Sequence, residues 1–251
     1  MRDLLVVLPT RGRPDSLQRL ITAMEDTCRG DTTLLVGVDM DDPCRQQYRQ
    51  VIAAARPTDF RLQLAEHGGL RFVVAWINHL AVPQMDAYRA IGHFGDDNVP
   101  RTDGWDVRIM ESLERNHFCF ADDLYPGRVT GTLCCHIFMR ASVVKALGYM
   151  GPPSITHMYV DPVWMAWGQA TSIEFLRDVV LEHMHHSALK SRNDATYRAS
   201  LDQTGPDLRA FNIYCQDPNG LNADVVRIRR DGVPFTREAL DVFRTDLNIP
   251  H

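Results

Sequence analysis

The N-terminal part of the chain alternates between unbroken apolar runs and a helical spacing of apolar positions. Residues 4–8 form a continuous run, Leu-Leu-Val-Val-Leu, which is typical of a strand buried on both faces. Apolar residues then recur at positions 17, 20, 21, 24 and 28, which is one face of an amphipathic helix. A second apolar strand is predicted at residues 34–38. This order of strand, helix and strand predicts a βαβ unit with a right-handed crossover.

The same alternation continues along the chain. Further helices are predicted at residues 47–55, 68–80, 105–113 and 142–147, the last of them closed by Gly148. Further strands are predicted at residues 61–65, 90–94, 133–139 and 175–181. Strands that alternate with helices predict an α/β fold with a mostly parallel central sheet.

The C-terminal part has a different pattern, which is polar and rich in loop-forming residues from about residue 187. A strand and turn are predicted at residues 227–232, and a short amphipathic helix at residues 236–244. No internal repeat and no low-complexity linker interrupts the sequence. We therefore expect one main domain, residues 1–190, with a C-terminal extension, residues 191–251, packed on it.

Composition narrows the class of protein. The 251 residues carry 27 Lys and Arg against 32 Asp and Glu, a net charge of −5, which disfavours a dedicated nucleic-acid binder while leaving room for a local basic patch. No apolar run is long enough to span a membrane, and the first residues do not form a secretory signal. The 6 cysteines form no C-x-x-C pair. These features favour a cytoplasmic protein with reduced thiols and no membrane contact.

Charged and polar side chains follow three of the predicted strands, at the edge where open α/β sheets bind ligands. Carboxylates there suit a hard divalent cation, and arginines suit phosphate. Together they indicate a metal-bridged diphosphate; the alternative is that these residues only cap helices and form turns. The sequence has no G-x-x-x-x-G-K-[ST] loop, no G-x-G-x-x-G and no G-x-S-x-G. The three groups are Thr10, Arg11 and Arg13; Asp39, Asp41 and Asp42; and Asp96, Asp97 and Asn98.

Three histidines follow the strand predicted at residues 175–181. In an extended chain His183 and His185 face the same side, so that both can reach one metal ion or one phosphate. Neighbouring hard carboxylates favour Mg²⁺ or Mn²⁺, and a zinc site of histidine and aspartate is the competing interpretation.

Asp161 lies at the start of another predicted helix. One interpretation makes it the N-cap, with Pro162 at the first helical position. The other makes it a general base for an acceptor hydroxyl.

The order of these motifs resembles the GT-A nucleotide-sugar glycosyltransferases, especially glycosyltransferase family 2, over about residues 1–190. The matching motifs are Pro9-Thr10-Arg11-Gly12-Arg13, Val38-Asp39, Gly95-Asp96-Asp97-Asn98, Val160-Asp161 and the late histidines. The resemblance implies a GT-A, Rossmann-like three-layer sandwich. Two departures stand out: Gly95 replaces the usual first Asp of the D-x-D element, and Val160 replaces the usual Glu before Asp161.

The resemblance also implies a role for individual residues. The first loop would hold the nucleotide, Asp39 would lie against the base, and Asp161 would be the base in catalysis. Asp97 would bind the metal ion together with His183 or His185. The other implied contacts are Pro9, Thr10, Arg11 and Arg13 to the nucleotide, Gly69 and Asn78 to the ribose or diphosphate, and Asp96 to the ribose or sugar.

The implied activity is transfer of a sugar from a nucleoside-diphosphate donor, with a UDP-sugar favoured, to an acceptor hydroxyl. It would depend on Mn²⁺ or Mg²⁺ and would invert the anomeric centre. Residues 182–197 resemble compact phage-type enzymes, which suggests a hydroxymethylated DNA base or a virion protein as acceptor. A nucleotidyltransferase and a noncatalytic nucleotide-sugar-binding module are the alternatives.

Overall fold

The computed structural model describes residues 1–126 and 129–230, and eight strands within them form one sheet. The strands are β1 (Arg2–Thr10), β2 (Thr32–Asp39), β3 (Phe60–His67), β4 (Tyr88–His93), β5 (Asn98–Pro100), β6 (Phe118–Asp122), β7 (Phe138–Arg140) and β8 (Ile173–His183). The α-helices are α1 (Pro14–Thr27), α2 (Arg45–Ala54), α3 (Val73–Ala81), α4 (Trp105–Leu113), α5 (Ala141–Leu147), α6 (Val160–Ala170), α7 (Ala195–Leu201), α8 (Thr204–Gln216) and α9 (Leu221–Arg229).

The sheet has the strand order β3-β2-β1-β4-β7-β6-β8-β5. β1 pairs in parallel with β2 and with β4, and β2 pairs in parallel with β3. Only the pairs that involve β7, and the pair of β5 with β8, are antiparallel among the described strands. The carboxyl ends of β1, β2 and β4 therefore lie side by side at one edge of the sheet.

Alternate residues of β1 show why the fold has three layers. Leu4, Val6 and Leu8 are fully buried against the apolar faces of α1 and α4. Leu5 and Val7 point the other way, into a core shared with α3, α5 and α6. Both faces of the parallel sheet are therefore covered by helices, which agrees with the predicted sandwich.

Some elements differ from the prediction. The helix predicted from residue 68 begins at Val73, the strand predicted over 133–139 is limited to Phe138–Arg140, and β6 was not predicted. The strand predicted at residues 227–232 is wrong, because residues 227–229 close α9. Leu221, Val225 and Ile228 form the buried face of that helix, and their helical spacing outweighs the strand-like Arg-Ile-Arg sequence. The helix predicted at residues 236–244 lies outside the described residues.

Two buried carboxylates attach the C-terminal helices to the rest of the protein. Asp224 on α9 is fully buried and accepts hydrogen bonds from the hydroxyls of Tyr149 and Tyr214. Asp207 on α8 accepts from the backbone N–H groups of the segment at 156–158, at 2.9, 2.8 and 2.7 Å. Division into a main domain and an extension stays a prediction. None of the helices within the described ranges has both the length and the apolar character to cross a bilayer.

Candidate functional site

The polar residues that follow β1, β2 and β4 meet, as the sequence predicts. The Thr10 hydroxyl donates to Oδ2 of Asp96 at 2.7 Å, and Arg13 donates to Oδ1 of Asp96 at 3.0 Å. Arg11 donates to Oδ2 of Asp39 at 3.1 Å. Side chains from three separate strand ends thus surround one edge of the sheet.

The loop after β1 is shaped by two residues of the second crossover. Asp42 accepts from the backbone N–H groups of Gly12 at 2.9 Å and Cys44 at 2.7 Å. The Tyr48 hydroxyl accepts from the backbone N–H of Arg13 at 2.6 Å. Turn formation, the alternative interpretation of these acidic residues, therefore applies to Asp42, whereas Asp39 and Asp96 bind side chains.

Asp39 lies at the end of β2, beside a group of aromatic residues. Its Oδ1 accepts a 3.0 Å hydrogen bond from the indole N–H of Trp76, and its side chain is almost completely buried. The rings of His67 and His79 lie 4.6 Å apart beside Trp76. Trp76 can approach β2 closely because residue 37 is glycine: a Cβ there would lie 2.7 Å from the indole ring. The Asp39 carboxylate is thus held in one orientation beside the aromatic ring of Trp76.

Asp97 and His183 lie together at the end of β4, with 3.3 Å between Oδ2 of Asp97 and Nε2 of His183. Backbone pairing produces this contact, since His183 is opposite Asn98 in the β5–β8 ladder and the N–H of Met184 donates to the carbonyl of Asp97 at 2.7 Å. Gly95 leaves room for the carboxylate, because a Cβ there would lie 2.6 Å from Oδ1 of Asp97. The lack of space for a Cβ thus explains why residue 95 is glycine, where the D-x-D pattern has its first Asp.

The two neighbouring carboxylates have different electrostatic environments. Burial raises the pKa of Asp96 to about 6, although the charge of Arg13 opposes the shift. Burial would also raise the pKa of Asp97, but the charge and hydrogen bond of His183 outweigh it and hold that pKa well below its usual range. Asp97 in turn raises the pKa of His183 against the effect of burial. The Asp97 carboxylate and the His183 imidazole therefore favour each other's charged form, and a metal ion bound by the same imidazole would have to displace its proton.

A carboxylate oxygen and an imidazole nitrogen at this separation fit a divalent cation. Asp97 and His183 would therefore be the residues that hold such a cation, which would neutralise charge on a bound diphosphate. His185 has a different contact: its Nδ1 lies 2.6 Å from the hydroxyl of Ser187, and burial together with the charge of His183 lowers its pKa to about 4. His183 is the histidine that faces Asp97; a metal contact of His185 stays a prediction.

Residues of α7 complete the site, and the sequence did not predict this. The Tyr197 hydroxyl donates to Oδ2 of Asp97 at 2.6 Å, and the Arg13 guanidinium lies 3.9 Å from the centre of the Tyr197 ring. Asp194 accepts two hydrogen bonds from Arg13, at 2.7 and 2.8 Å, and caps α7. The N-cap pattern of Asp194 is visible in the sequence, but its partner is far away along the chain.

A cleft of about 450 Å³ opens between the loop after β1 and the segment that leads into α7. Asp97 and Tyr197 contribute to its wall, and cationic side chains contribute to its rim. Its lining includes Arg13, Arg19, Asp97, Lys190, Arg192 and Tyr197.

The remaining predicted residues are placed as follows. The Asn78 amide binds backbone groups of residues 150 and 151 at 2.8 to 3.0 Å, so it fixes that turn. Gly69 has φ +91° and a Cβ there would meet no atom within 4 Å. Pro9 pairs with Gly37 inside the sheet. Asp161 is the second residue of α6, so the N-cap interpretation is wrong; Tyr159, with φ +68°, occupies that position. Contacts of these residues to a ligand stay predictions.

No protein-family model and no curated protein sequence matches the chain. Solved structures are similar: S. aureus TarS 1-349 in complex with UDP has 8% identity and a TM-score of 0.55, and the match covers 86% of this chain and 73% of that one. The mannosyltransferase PcManGT from Pyrobaculum calidifontis, in complex with GDP-Man and Mn²⁺, has 13% identity and a TM-score of 0.55, with 98% and 81% covered. At such identities the likeness is one of fold.

Proposed function

We propose that this chain, which has the GT-A fold of nucleotide-sugar glycosyltransferases, transfers a sugar from a nucleoside-diphosphate donor to an acceptor hydroxyl. The observation that carries the proposal is the Asp97–His183 pair, with 3.3 Å between carboxylate and imidazole, at the edge of the sheet where such folds bind ligands. A cleft of sufficient size for a nucleotide lies against the same carboxylate.

Asp39 is proposed as the contact to the base of the donor, and a uridine nucleotide is the first to test. Both oxygens of its carboxylate already accept one hydrogen bond, from Trp76 and from Arg11. Each oxygen keeps a further acceptor position, so that the carboxylate can accept the imide N–H of uracil or the two N–H groups of guanine, and a titration with both nucleotides separates them. Trp76 holds the carboxylate in place, and Arg11 compensates its charge.

Asp97 and His183 are the residues that would hold a divalent cation, and Mn²⁺ is favoured over Mg²⁺ because imidazole nitrogen is a softer ligand than oxygen. When bound, the cation neutralises charge on the leaving diphosphate. Arg13 lies at the wall of the same cleft and is proposed to contact the phosphates, although Asp96 and Asp194 compensate its charge. Its two hydrogen bonds to Asp194 keep that charge at a defined position.

Asp161 is proposed as the group that takes the proton of the acceptor hydroxyl, which then attacks the anomeric carbon from the face opposite the leaving group. A single displacement of this kind inverts the anomeric centre. The segment before α6 is fixed from two sides, by Asn78 at residues 150 and 151 and by Asp207 at residues 156–158. Such fixation would hold Asp161 at a constant position relative to the cleft.

The charged residues at the rim of the cleft concern the class of acceptor. Arg19 and Arg192 contribute positive charge there, in a chain whose net charge is −5. Asp15 and Asp194 line the same cleft, so its charge is mixed, and hydroxymethylated DNA and a virion protein are both proposed as acceptors to test.

The test combines binding and turnover. UDP, GDP and their sugars are titrated with and without Mn²⁺ into the native protein, into Asp97→Asn and into Asp86→Asn, a control at an exposed surface ion pair. We expect Mn²⁺ to tighten UDP binding in the native protein and the control, and not in Asp97→Asn.

Products then separate the alternatives. Release of a nucleoside diphosphate on addition of acceptor supports transfer of a sugar. Release of pyrophosphate would identify a nucleotidyltransferase, and binding of nucleotide sugar without hydrolysis or transfer would identify a binding module. UDP binding that is unaffected by Mn²⁺ and by Asp97→Asn would overturn the proposed site.

A further inference from the structure

A second group of metal-binding side chains lies beside the site described above. Asp123, Cys135 and His183 each offer one ligand atom, and these atoms all lie within 4.8 Å of one another. The three residues come from different segments: Asp123 follows β6, Cys135 precedes β7, and His183 ends β8. A group gathered from three segments is a product of the tertiary fold.

Backbone hydrogen bonds connect the segment of His183 to the two segments that carry Asp97 and Asp123. The N–H of His183 donates to the carbonyl of Asp123 at 2.9 Å, and the next residue donates to the carbonyl of Asp97. The Asp123 carboxylate is largely buried and is oriented by the backbone N–H of Tyr125, at 3.1 Å. The imidazole therefore lies within reach of Asp97 and of the Asp123–Cys135 pair.

The chemistry of the second group differs from that of the first. A thiolate is a soft ligand that Mg²⁺ and Mn²⁺ do not favour, whereas one thiolate, one imidazole and one carboxylate suit Zn²⁺. Zinc bonds of about 2.0 to 2.3 Å in tetrahedral geometry place ligand atoms about 3.3 to 3.8 Å apart. The three ligand atoms lie within 4.8 Å of one another, and small side-chain movements would bring them to these separations. The fourth position would be open to water.

We infer that Asp123, Cys135 and His183 form a zinc site distinct from the Asp97 position. Both positions use the imidazole of His183, and a neutral imidazole has only one unprotonated nitrogen, so Zn²⁺ competes with the cation at Asp97 for this ligand. Zinc would therefore weaken Mn²⁺-dependent UDP binding; this consequence rests on the proposed function, whereas zinc binding itself does not.

The experiment uses Co²⁺ as a spectroscopic substitute for Zn²⁺ on the full chain. Native protein should show a near-ultraviolet thiolate-to-cobalt charge-transfer band that stoichiometric Zn²⁺ abolishes. Cys135→Ser should lose the band, and its zinc affinity, measured by competition with a chromophoric chelator, should fall by more than the roughly 100-fold that loss of an outer-shell partner can cost. Cys44→Ser, at another partly exposed free cysteine, is the matched control and should keep the band.

Asp97→Asn separates this inference from the proposed function. It should keep the cobalt band while it loses Mn²⁺-dependent UDP binding. A native protein without the band, or a band that persists in Cys135→Ser, would overturn the zinc site.

A measurement on native protein avoids the risk that Cys135→Ser does not fold. Zn²⁺ should slow alkylation of Cys135 by iodoacetamide, read by peptide mass spectrometry, and leave alkylation of Cys44 unchanged. Equal alkylation of Cys135 with and without zinc would overturn the inference.

Discussion

The hydroxyl of Tyr197 donates a 2.6 Å hydrogen bond to Oδ2 of Asp97, the oxygen that also lies 3.3 Å from Nε2 of His183. A carboxylate held by two donors stays in one orientation and stays charged although it is buried. The helix that carries Tyr197 is thus part of the site, and contacts to Asp97 reach it from both the sheet and the C-terminal helices.

Removing the Tyr197 hydroxyl tests the strength of this contact. We expect Tyr197→Phe to lower the free energy of unfolding by about 1.5 to 3 kcal/mol, because a buried charged acceptor loses a donor while the ring stays against Arg13. Urea unfolding measures the change. Tyr125→Phe, whose hydroxyl contacts Ser187 at the surface, is the control and should change stability much less. An equal loss of free energy of unfolding in both variants would contradict a special role of the hydrogen bond from Tyr197 to Asp97.

Arg13 joins three groups, so its shape matters as well as its charge. Arg13→Lys keeps the positive charge but cannot contact Asp96 and both oxygens of Asp194 together. We expect a loss of about 2 kcal/mol in the free energy of unfolding and weaker UDP binding. Arg19→Lys, an exposed residue of the same cleft, should leave stability almost unchanged. An unchanged midpoint of unfolding for Arg13→Lys would contradict a stabilising role of the contacts from Arg13 to Asp96 and Asp194.

Asp161 is tested by a substitution that keeps its size. Asp161→Asn should reduce transfer by about 100-fold or more, since an amide cannot accept the acceptor proton, while UDP affinity stays at the native value. Initial rates of UDP release and a binding titration give the two numbers. Transfer at the native rate would refute the role of base, and a parallel loss of UDP binding would point to a structural effect.

Glu66 gives the stability a pH dependence away from the site. Hydrogen bonds from Arg45 and Arg49 lower the pKa of Glu66 from 4.5 to about 2. Its stabilising contribution is complete above about pH 4.5 and is lost as the pH falls towards 2, because the folded state then binds a proton less readily than the unfolded state. Glu66→Gln should therefore show a smaller fall in thermal midpoint over this interval.

The sequence predicted the N-terminal half of the fold well, and the predicted GT-A fold is confirmed. β1, α1 and β2 follow from local patterns, because each has an apolar run or a helical face of its own. The meeting of Thr10, Asp39 and Asp96 was also predictable, since the ends of neighbouring parallel strands share one edge.

Other features depend on contacts that local patterns do not contain. Tyr197 and Asp97 are 100 residues apart, and α7 buries little apart from Tyr197 itself. β6 is short, with the sequence Phe-Cys-Phe-Ala-Asp, and only its place between β7 and β8 distinguishes it from a buried helical segment. Asp161 resembled an N-cap because Pro162 follows it. The helix nevertheless begins at Val160, the residue before Asp161.

Arg13 and Asp194 are separated by 181 residues of the chain, and their pairing closes one wall of the cleft. During translation, a nascent polypeptide that has grown only as far as β8 has Arg13 without this partner and Asp97 without Tyr197. Its cleft becomes complete only after residue 197 leaves the ribosome. A ligand that needs the complete cleft can therefore bind only after the greater part of the protein has been made.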